Sequence, residues 1–133
     1  MGRPLALPDS GVTLDAGALI ALDRNDRRVI ALLVRAAQSG CRVTIPAGAL
    51  AQAVRQPERQ VRLSRLVRQP TTDVVALDRV DAVNVGRLLA ASGTSDVVDA
   101  HVVICARRAG QPVVTSGAGD LARLDPHLVM LAL

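Results

Sequence analysis

Short β-branched runs alternate along the chain with longer segments in which apolar residues recur at helical spacing. The first run, 12–14, ends at Asp15, and later runs predict strands over 42–45, 74–77, 112–115 and 128–131. The segments between them predict helices over 16–22, 26–38, 47–55, 58–68, 78–91 and 96–109, with a short helix before the last strand. This alternation indicates an α/β fold.

The ends of these elements carry ordinary stop signals. Gly40 and Gly110 follow helical stripes and are typical C-terminal caps, while Pro46 ends a strand and Pro57 separates two helices. We therefore expect a three-layer sandwich with a mostly parallel central sheet, right-handed crossovers and flanking helices. The length predicts a single domain over 1–133, with residues 1–10 as a short N-terminal arm.

Composition narrows the class of protein. No apolar run approaches the ~20 residues that span a bilayer, and the first ten residues do not resemble a secretory signal, so we expect a soluble cytoplasmic protein without membrane contact. Cys41 and Cys105 lie far apart, and neither a disulfide nor a zinc site is expected of them. We expect both to be buried as small apolar residues.

All 16 basic residues are arginine, and the chain has no Phe, Tyr or Trp. The absence of lysine excludes a P-loop and Schiff-base catalysis. The absence of aromatic residues excludes base stacking on aromatic rings. Binding of single-stranded nucleic acid must therefore use the charge and the guanidinium stacking of arginine. A net charge of +4 permits such a partner without requiring it.

Aspartates at predicted strand ends and helix starts form the strongest candidate site. Asp15 follows the first strand, Asp96 and Asp99 share one face at the start of a late helix, and Asp120 follows the fourth strand. Clustered carboxylates repel one another unless a hard divalent cation such as Mg²⁺ or Mn²⁺ compensates their charge. Taken singly, each aspartate is better explained as a helix N-cap, and only their combination favours a metal site.

The chain resembles the PIN-domain family, in particular the VapC-like toxins of bacterial toxin–antitoxin pairs, over nearly its whole length. The matching stretches are VTLDAGALIAL at 12–22 and DAHVVICARRAGQPVVTSGAGDL at 99–121. The resemblance implies that Asp15, Asp99 and Asp120 are catalytic metal ligands with Asp96 as an accessory ligand. It also implies Mg²⁺- or Mn²⁺-dependent hydrolysis of RNA phosphodiesters by metal-bound water and inhibition by a small antitoxin protein.

Two positions depart from the family pattern. Gln52 stands where relatives have a glutamate, and Gly117 stands where they often have Asn or Asp. Glutamine carries no charge, so we expect weaker metal binding unless Asp96 compensates. The alternative is a degenerate PIN domain that acts as a non-catalytic binding or scaffolding module. A small-molecule enzyme is a weaker third interpretation, since no cofactor fingerprint is present.

Other polar residues have weaker assignments. Arg55, Arg59 and Arg62 recur at helical spacing, continued by Arg65 and Arg68, and predict either an RNA-binding stripe or an ordinary solvated helix face. The same helices are a candidate antitoxin surface. Thr115 and Ser116 are expected either to hydrogen-bond the pocket's carboxylates or to satisfy only local backbone groups. His101 is expected to be a core or surface histidine rather than a general base. The sequence leaves the oligomeric state open, although PIN-domain relatives are often dimers.

Overall fold

The computed structural model describes residues 5–133, in which five parallel strands form one sheet flanked by helices. The strands are β1 (Val12–Leu14), β2 (Val43–Pro46), β3 (Thr72–Val75), β4 (Val113–Thr115) and β5 (Met130–Ala132). The helices are α1 (Ala16–Asp23), α2 (Arg27–Ser39), α3 (Ala47–Ala53), α4 (Val61–Val67), α5 (Arg79–Ser92), α6 (Val97–Ala109) and α7 (Ala118–Leu124). The α/β class and the parallel sheet predicted from the sequence are confirmed.

The strand order β3-β2-β1-β4-β5 places β1 at the centre of the sheet. The chain moves outward from β1 through β2 to β3, and then returns to β4 on the other side of β1. The order therefore reverses between β1 and β4, where Thr13 pairs with Val113 and Leu14 with Val114. Folds of this kind bind ligands outside the carboxyl ends of the strands at such a reversal.

The hydrophobic core lies between the sheet and the helices packed on it. The three central strands are buried on both faces, as expected of strands covered by helices on each side. Thr13 is the polar exception inside β1, and its hydroxyl donates to Gln111 Oε1 at 2.8 Å. Side chains with 0% exposure anchor this core, among them Val12, Leu14, Leu19, Leu32, Ile45, Val102, Val103, Val113 and Val114.

The turn between α3 and α4 is longer than the sequence indicated. The helices predicted over 47–55 and 58–68 are Ala47–Ala53 and Val61–Val67. The side chain of Gln60, which is 7% exposed, explains the difference. Its Oε1 accepts from the amides of Arg55 and Gln56, and its Nε2 donates to the Ala53 carbonyl at 2.9 Å. These hydrogen bonds replace the ones that helical continuation would have made.

Two outer strands are displaced from their predicted positions, each by a shift of two residues or fewer at its ends. The third strand is Thr72–Val75 instead of 74–77, because pairing with β2 begins where Val43 lies opposite Thr72. An ion pair between Arg42 and Asp73 ties this start to the neighbouring strand. The fifth strand is Met130–Ala132 instead of 128–131, because a turn in which Leu128 donates to the Asp125 carbonyl delays it.

The segment before β1 lies against the core. Leu5 and Leu7 pack on the core, while the rest of the predicted arm at 1–4 lies outside the described residues. Gly11 has φ 90°, and an added Cβ would overlap the backbone carbonyl of Arg42. Glycine is therefore required where the chain enters β1. Cys105 is buried as predicted, whereas Cys41, at the approach to β2, is only half-buried.

Within residues 5–133 no single helix is long and apolar enough to cross a bilayer. The pair α5 and α6 passes the same test together, but the two helices are bent by 109° relative to each other.

Candidate functional site

Asp15 is the most buried of the four candidate aspartates, with 6% exposure. It stands directly after β1 and is the N-cap of α1, where its Oδ1 accepts from the Ala18 amide at 2.8 Å. Burial raises the pKa of Asp15 above its ordinary value, and the Thr115 hydroxyl and the amides of Ala18 and Gly17 oppose that rise. The carboxylate is thus fixed in position before any ligand arrives.

Asp96 and Asp99 stand at the start of α6. Asp96 is the N-cap, and its Oδ1 accepts from the Asp99 amide at 3.0 Å. Asp99 lies in the first turn, on a helix that packs against β1, β2 and β4. This packing brings the helix start to the carboxyl ends of the central strands.

Asp120 comes from the other side of the strand reversal. It lies in the first turn of α7, just past β4, and its side chain is exposed. Thr115 ends β4, and its Oγ1 accepts from the Gly117 amide at 2.8 Å, which shapes the turn into α7. The start of α7 at Gly117 has no side-chain cap hydrogen bond.

The carboxylates of these segments lie close enough to perturb one another. The pKa of Asp99 is raised to about 6, first by burial and then by the negative charges of Asp96, Asp15 and Asp120. These carboxylates come from three segments that are far apart in sequence, at 15, at 96 and 99, and at 120, so the fold is what brings them near one another. We call these residues (Asp15, Asp96, Asp99 and Asp120) the acidic cluster.

The acidic cluster has no cationic protein partner in the described part of the chain. Ion pairs of the described residues occupy Asp26, Asp73, Asp81 and Asp125, and none includes a member of the cluster. Four carboxylates without a basic side chain form a donor set of hard oxygens and uncompensated charge. By donor chemistry such a set suits Mg²⁺ or Mn²⁺, which bind carboxylate oxygens. In the described residues its oxygens do not form a group of three within 4.8 Å of one another, so a shared ion would require the side chains to draw together.

Small residues let the site's segments approach closely. A Cβ added to Gly17 would overlap the Ser116 hydroxyl and lie 3.4 Å from Asp15 Oδ1. Gly48 permits a similar approach of α3 to α6, since its added Cβ would lie 3.2 Å from Val98 Cγ2. Beside this region a cleft of about 610 Å³ is lined by Gly17, Ile20, Ala21, Arg24, Asp26, Ser116 and Leu133.

The accessory residues differ in how closely they join the cluster. Thr115 is fully buried beside Asp15, and Ser116 is exposed next to Gly17. Gln52 is exposed on α3, one turn after Gly48 and therefore on the helix face that contacts α6. No cluster carboxylate makes a recorded hydrogen bond to Gln52 in residues 5–133.

The predicted arginine stripe divides into two parts. Arg55 Nη1 donates to the carbonyls of Ala51 and Val54, so this guanidinium partly serves to cap α3. Arg55 and Arg59 line one cleft of about 320 Å³, which also contains Asp23 at the end of α1. Arg62 and Arg65 instead line an apolar groove of about 330 Å³ between α2 and α4.

A buried polar group between α5 and α6 escaped sequence analysis. His101 is 2% exposed, and its Nε2 lies 2.7 Å from Oδ2 of Asp81, whose Oδ1 accepts from Arg108. His101 is therefore a core histidine, which is one of the two positions expected of it. The partnership with Asp81 had no sequence signal, because it depends on how two helices cross. The four-residue spacing of His101 and Cys105 was the available clue.

The parallel five-stranded sheet, its strand order and the flanking helices give an α/β fold of PIN-like type. One chain in the crystal structure of VapBC2 from Rickettsia felis bound to a promoter DNA fragment is similar, with TM-score 0.64, 14% identity, and coverage of 92% of this chain and 98% of that chain. A chain of FitAB bound to the IR36 DNA fragment matches with TM-score 0.62, 14% identity, and coverage of 91% and 94%. A chain of FitAcB from Neisseria gonorrhoeae matches with TM-score 0.60, 16% identity, and coverage of 90% and 96%.

These likenesses extend over almost the full length of each chain, and they establish the fold. No protein-family model matches the sequence, and no curated protein matches it. The PIN-like architecture expected from the sequence resemblance is thereby confirmed.

Proposed function

We propose that this chain is a divalent-metal-dependent endoribonuclease of the VapC toxin type. The observation that carries the proposal is the acidic cluster, in which the fold assembles four carboxylates without a basic partner at the strand reversal. Like charges are costly to gather, and a structural role as helix caps does not require them to meet. A bound cation removes that cost.

Asp15, Asp99 and Asp120 are the proposed ligands of Mg²⁺ or Mn²⁺, with Asp96 as an accessory ligand. When bound, such an ion supplies an activated water and stabilises charge on the phosphate. The chain itself contributes preorganisation. Asp15 is oriented by the Ala18 amide and the Thr115 hydroxyl, and Asp96 orients the first turn that carries Asp99.

Exposed arginines are the proposed contacts to the RNA backbone. Arg59 and Arg62 are exposed, and neither forms an ion pair within the described ranges. Asp23 shares the cleft of Arg59 at the far end of α1, a helix of 8 residues, which places that cleft roughly 12 Å along the axis from Asp15. A single-stranded RNA that extends from this cleft to Asp15 therefore has arginine beside its backbone and the carboxylates at its cut site.

An RNA cleavage assay tests the proposal. We expect the full chain to cut single-stranded RNA in the presence of Mg²⁺ or Mn²⁺ and not in the presence of EDTA. The cleavage rate of Asp99→Asn should fall by at least about a hundredfold, because losing one group that stabilises the charge of a transition state has an effect of that size. The matched control is Asp9→Asn, an exposed aspartate outside the cluster, which should cut normally. Metal-independent cutting, or an Asp99→Asn variant as fast as wild type, would contradict the proposal.

The alternative function is a non-catalytic binding or scaffolding module. Gln52 and Gly117 favour it, because each replaces a polar or charged residue of the family pattern. Calorimetric titration with Mn²⁺ separates the two functions. Binding by wild type and not by Asp99→Asn supports the enzyme, whereas no binding by either supports the module.

A small antitoxin protein is the proposed partner, on the strength of the VapC-like resemblance. A partner that covers the acidic cluster should lower RNA cleavage and Mn²⁺ affinity together. If it inhibits cleavage while Mn²⁺ binds as before, the inhibitor acts at another surface, such as the groove between α2 and α4. Dimer formation is a further proposal, and light scattering of the purified chain measures it.

A further inference from the structure

A second group of metal-ligating side chains lies between α5 and α6. Asp81 belongs to α5, while His101 and Cys105 are four residues apart on α6 and so share one face. One ligand atom of each lies within 4.8 Å of those of the other two, and each residue is 2% exposed. His101 points roughly 200° around the helix from Asp99, so this group is separate from the acidic cluster.

One buried polar atom of this group has no hydrogen-bond partner in the described residues. Nε2 of His101 lies 2.7 Å from Asp81 Oδ2, but buried Nδ1 has no hydrogen-bond partner within residues 5–133. A buried polar atom without a partner destabilises the folded state, so proteins seldom retain one without reason. Arg108 donates to the other oxygen of Asp81 and holds that carboxylate towards the histidine.

The donor types are those of a zinc site. An imidazole nitrogen, a thiolate sulfur and a carboxylate oxygen suit Zn²⁺, whereas Mg²⁺ prefers oxygen alone. We propose that Asp81, His101 and Cys105 bind one zinc-type cation that joins α5 to α6. Arg108 is then the outer partner that orients Asp81.

Binding has a definite proton balance. Burial, and then the charge of Asp81, raise the pKa of Cys105 to about 11, so the metal-free side chain is a thiol. The cation forms a bond to sulfur, and the thiol proton passes to solvent. One proton is therefore released from Cys105 for each ion bound.

Cobalt absorption tests the proposal with the full metal-free chain and Co²⁺ as the probe. We expect a thiolate-to-cobalt charge-transfer band that saturates at one ion per chain. The near-ultraviolet background is low, because the protein has no Phe, Tyr or Trp. Cys105→Ala should abolish the band, while Cys41→Ala, the matched control at the other cysteine, should keep it.

Asp99→Asn separates this site from the proposed nuclease site, since it should lose Mn²⁺ binding and keep the cobalt band. Far-ultraviolet circular dichroism verifies that each variant is folded. Absence of the band in folded wild type overturns the proposal without reference to any variant. Persistence of the band in Cys105→Ala overturns it as well.

Discussion

Both burial and neighbouring carboxylates act on the ionisation of Asp99. Its pKa is about 6 in the folded protein and 3.8 in a model peptide, because burial and three carboxylates oppose its charge. A cation needs the charged form, so we expect the Mn²⁺ affinity of wild type to rise with pH through about 6 and then to level off. Calorimetric titrations at a series of pH values measure this, and affinity that stays flat across that range would count against the assigned ligand.

The same raised pKa affects the stability of the metal-free protein. The folded state binds the Asp99 proton more tightly than the unfolded chain, so the stabilisation is complete below about pH 3.8 and is lost as pH rises through about 6. Above that pH we expect Asp99→Asn to be more stable than wild type by roughly 1 kcal/mol, after discounting for solvent screening. Urea unfolding without metal at several pH values gives the difference. Equal stability of the two proteins at all pH values would show that the carboxylates do not strain the fold.

Gln52 is the residue at which the sequence departs most clearly from the family pattern. If it lies beside the bound ion, Gln52→Glu adds a charged oxygen ligand and should tighten Mn²⁺ binding by about tenfold. Gln69→Glu is the matched control, because it adds the same charge on an exposed residue just past the C-terminal end of α4. Unchanged affinity in Gln52→Glu would place position 52 outside the metal's coordination sphere.

At the level of elements, the N-cap residue of α1, Asp15, has two roles. Asp15 caps the helix and is a proposed ligand, and these tasks respond differently to substitution. Asn caps as well as Asp, so Asp15→Asn should lose metal binding and keep most of its stability, whereas Asp15→Ala should also lose about 1 kcal/mol of unfolding free energy. Thermal denaturation of both variants, combined with Mn²⁺ titration, measures the two effects. If Asp15→Asn binds Mn²⁺ normally, Asp15 is a cap and nothing more.

Some positions of the elements and of the candidate site could be predicted from the sequence, and others could not. The positions of Asp15 and Asp120 were predictable, because β-branched runs mark strand ends and parallel strands bring those ends to one edge. The start of β3 at Thr72 could not be predicted, because pairing with β2 determines it and the apolar residues do not. The contact of His101 with Asp81 was likewise hidden, since it arises where α5 crosses α6.

Over the whole molecule, all positive charge is carried by arginine, with a net charge of +4. Each contact to a phosphate of a single strand adds about 0.7 to the steepness of the log–log dependence of affinity on salt, so removing one contact lowers the slope by that amount. We expect Arg59→Gln and Arg62→Gln each to reduce the slope by about that amount, measured by fluorescence anisotropy with labelled RNA and catalytically inactive Asp99→Asn protein. Arg87→Gln, at an exposed position on α5, is the control. Equal slopes in all variants would assign RNA contact to another surface.

The most direct measurement for the acidic cluster is anomalous X-ray scattering from crystals soaked with Mn²⁺. A manganese peak among Asp15, Asp99 and Asp120 is the predicted result. Crystals with well-defined side chains and no manganese at that position, at a concentration that saturates binding in solution, would contradict a shared cation site.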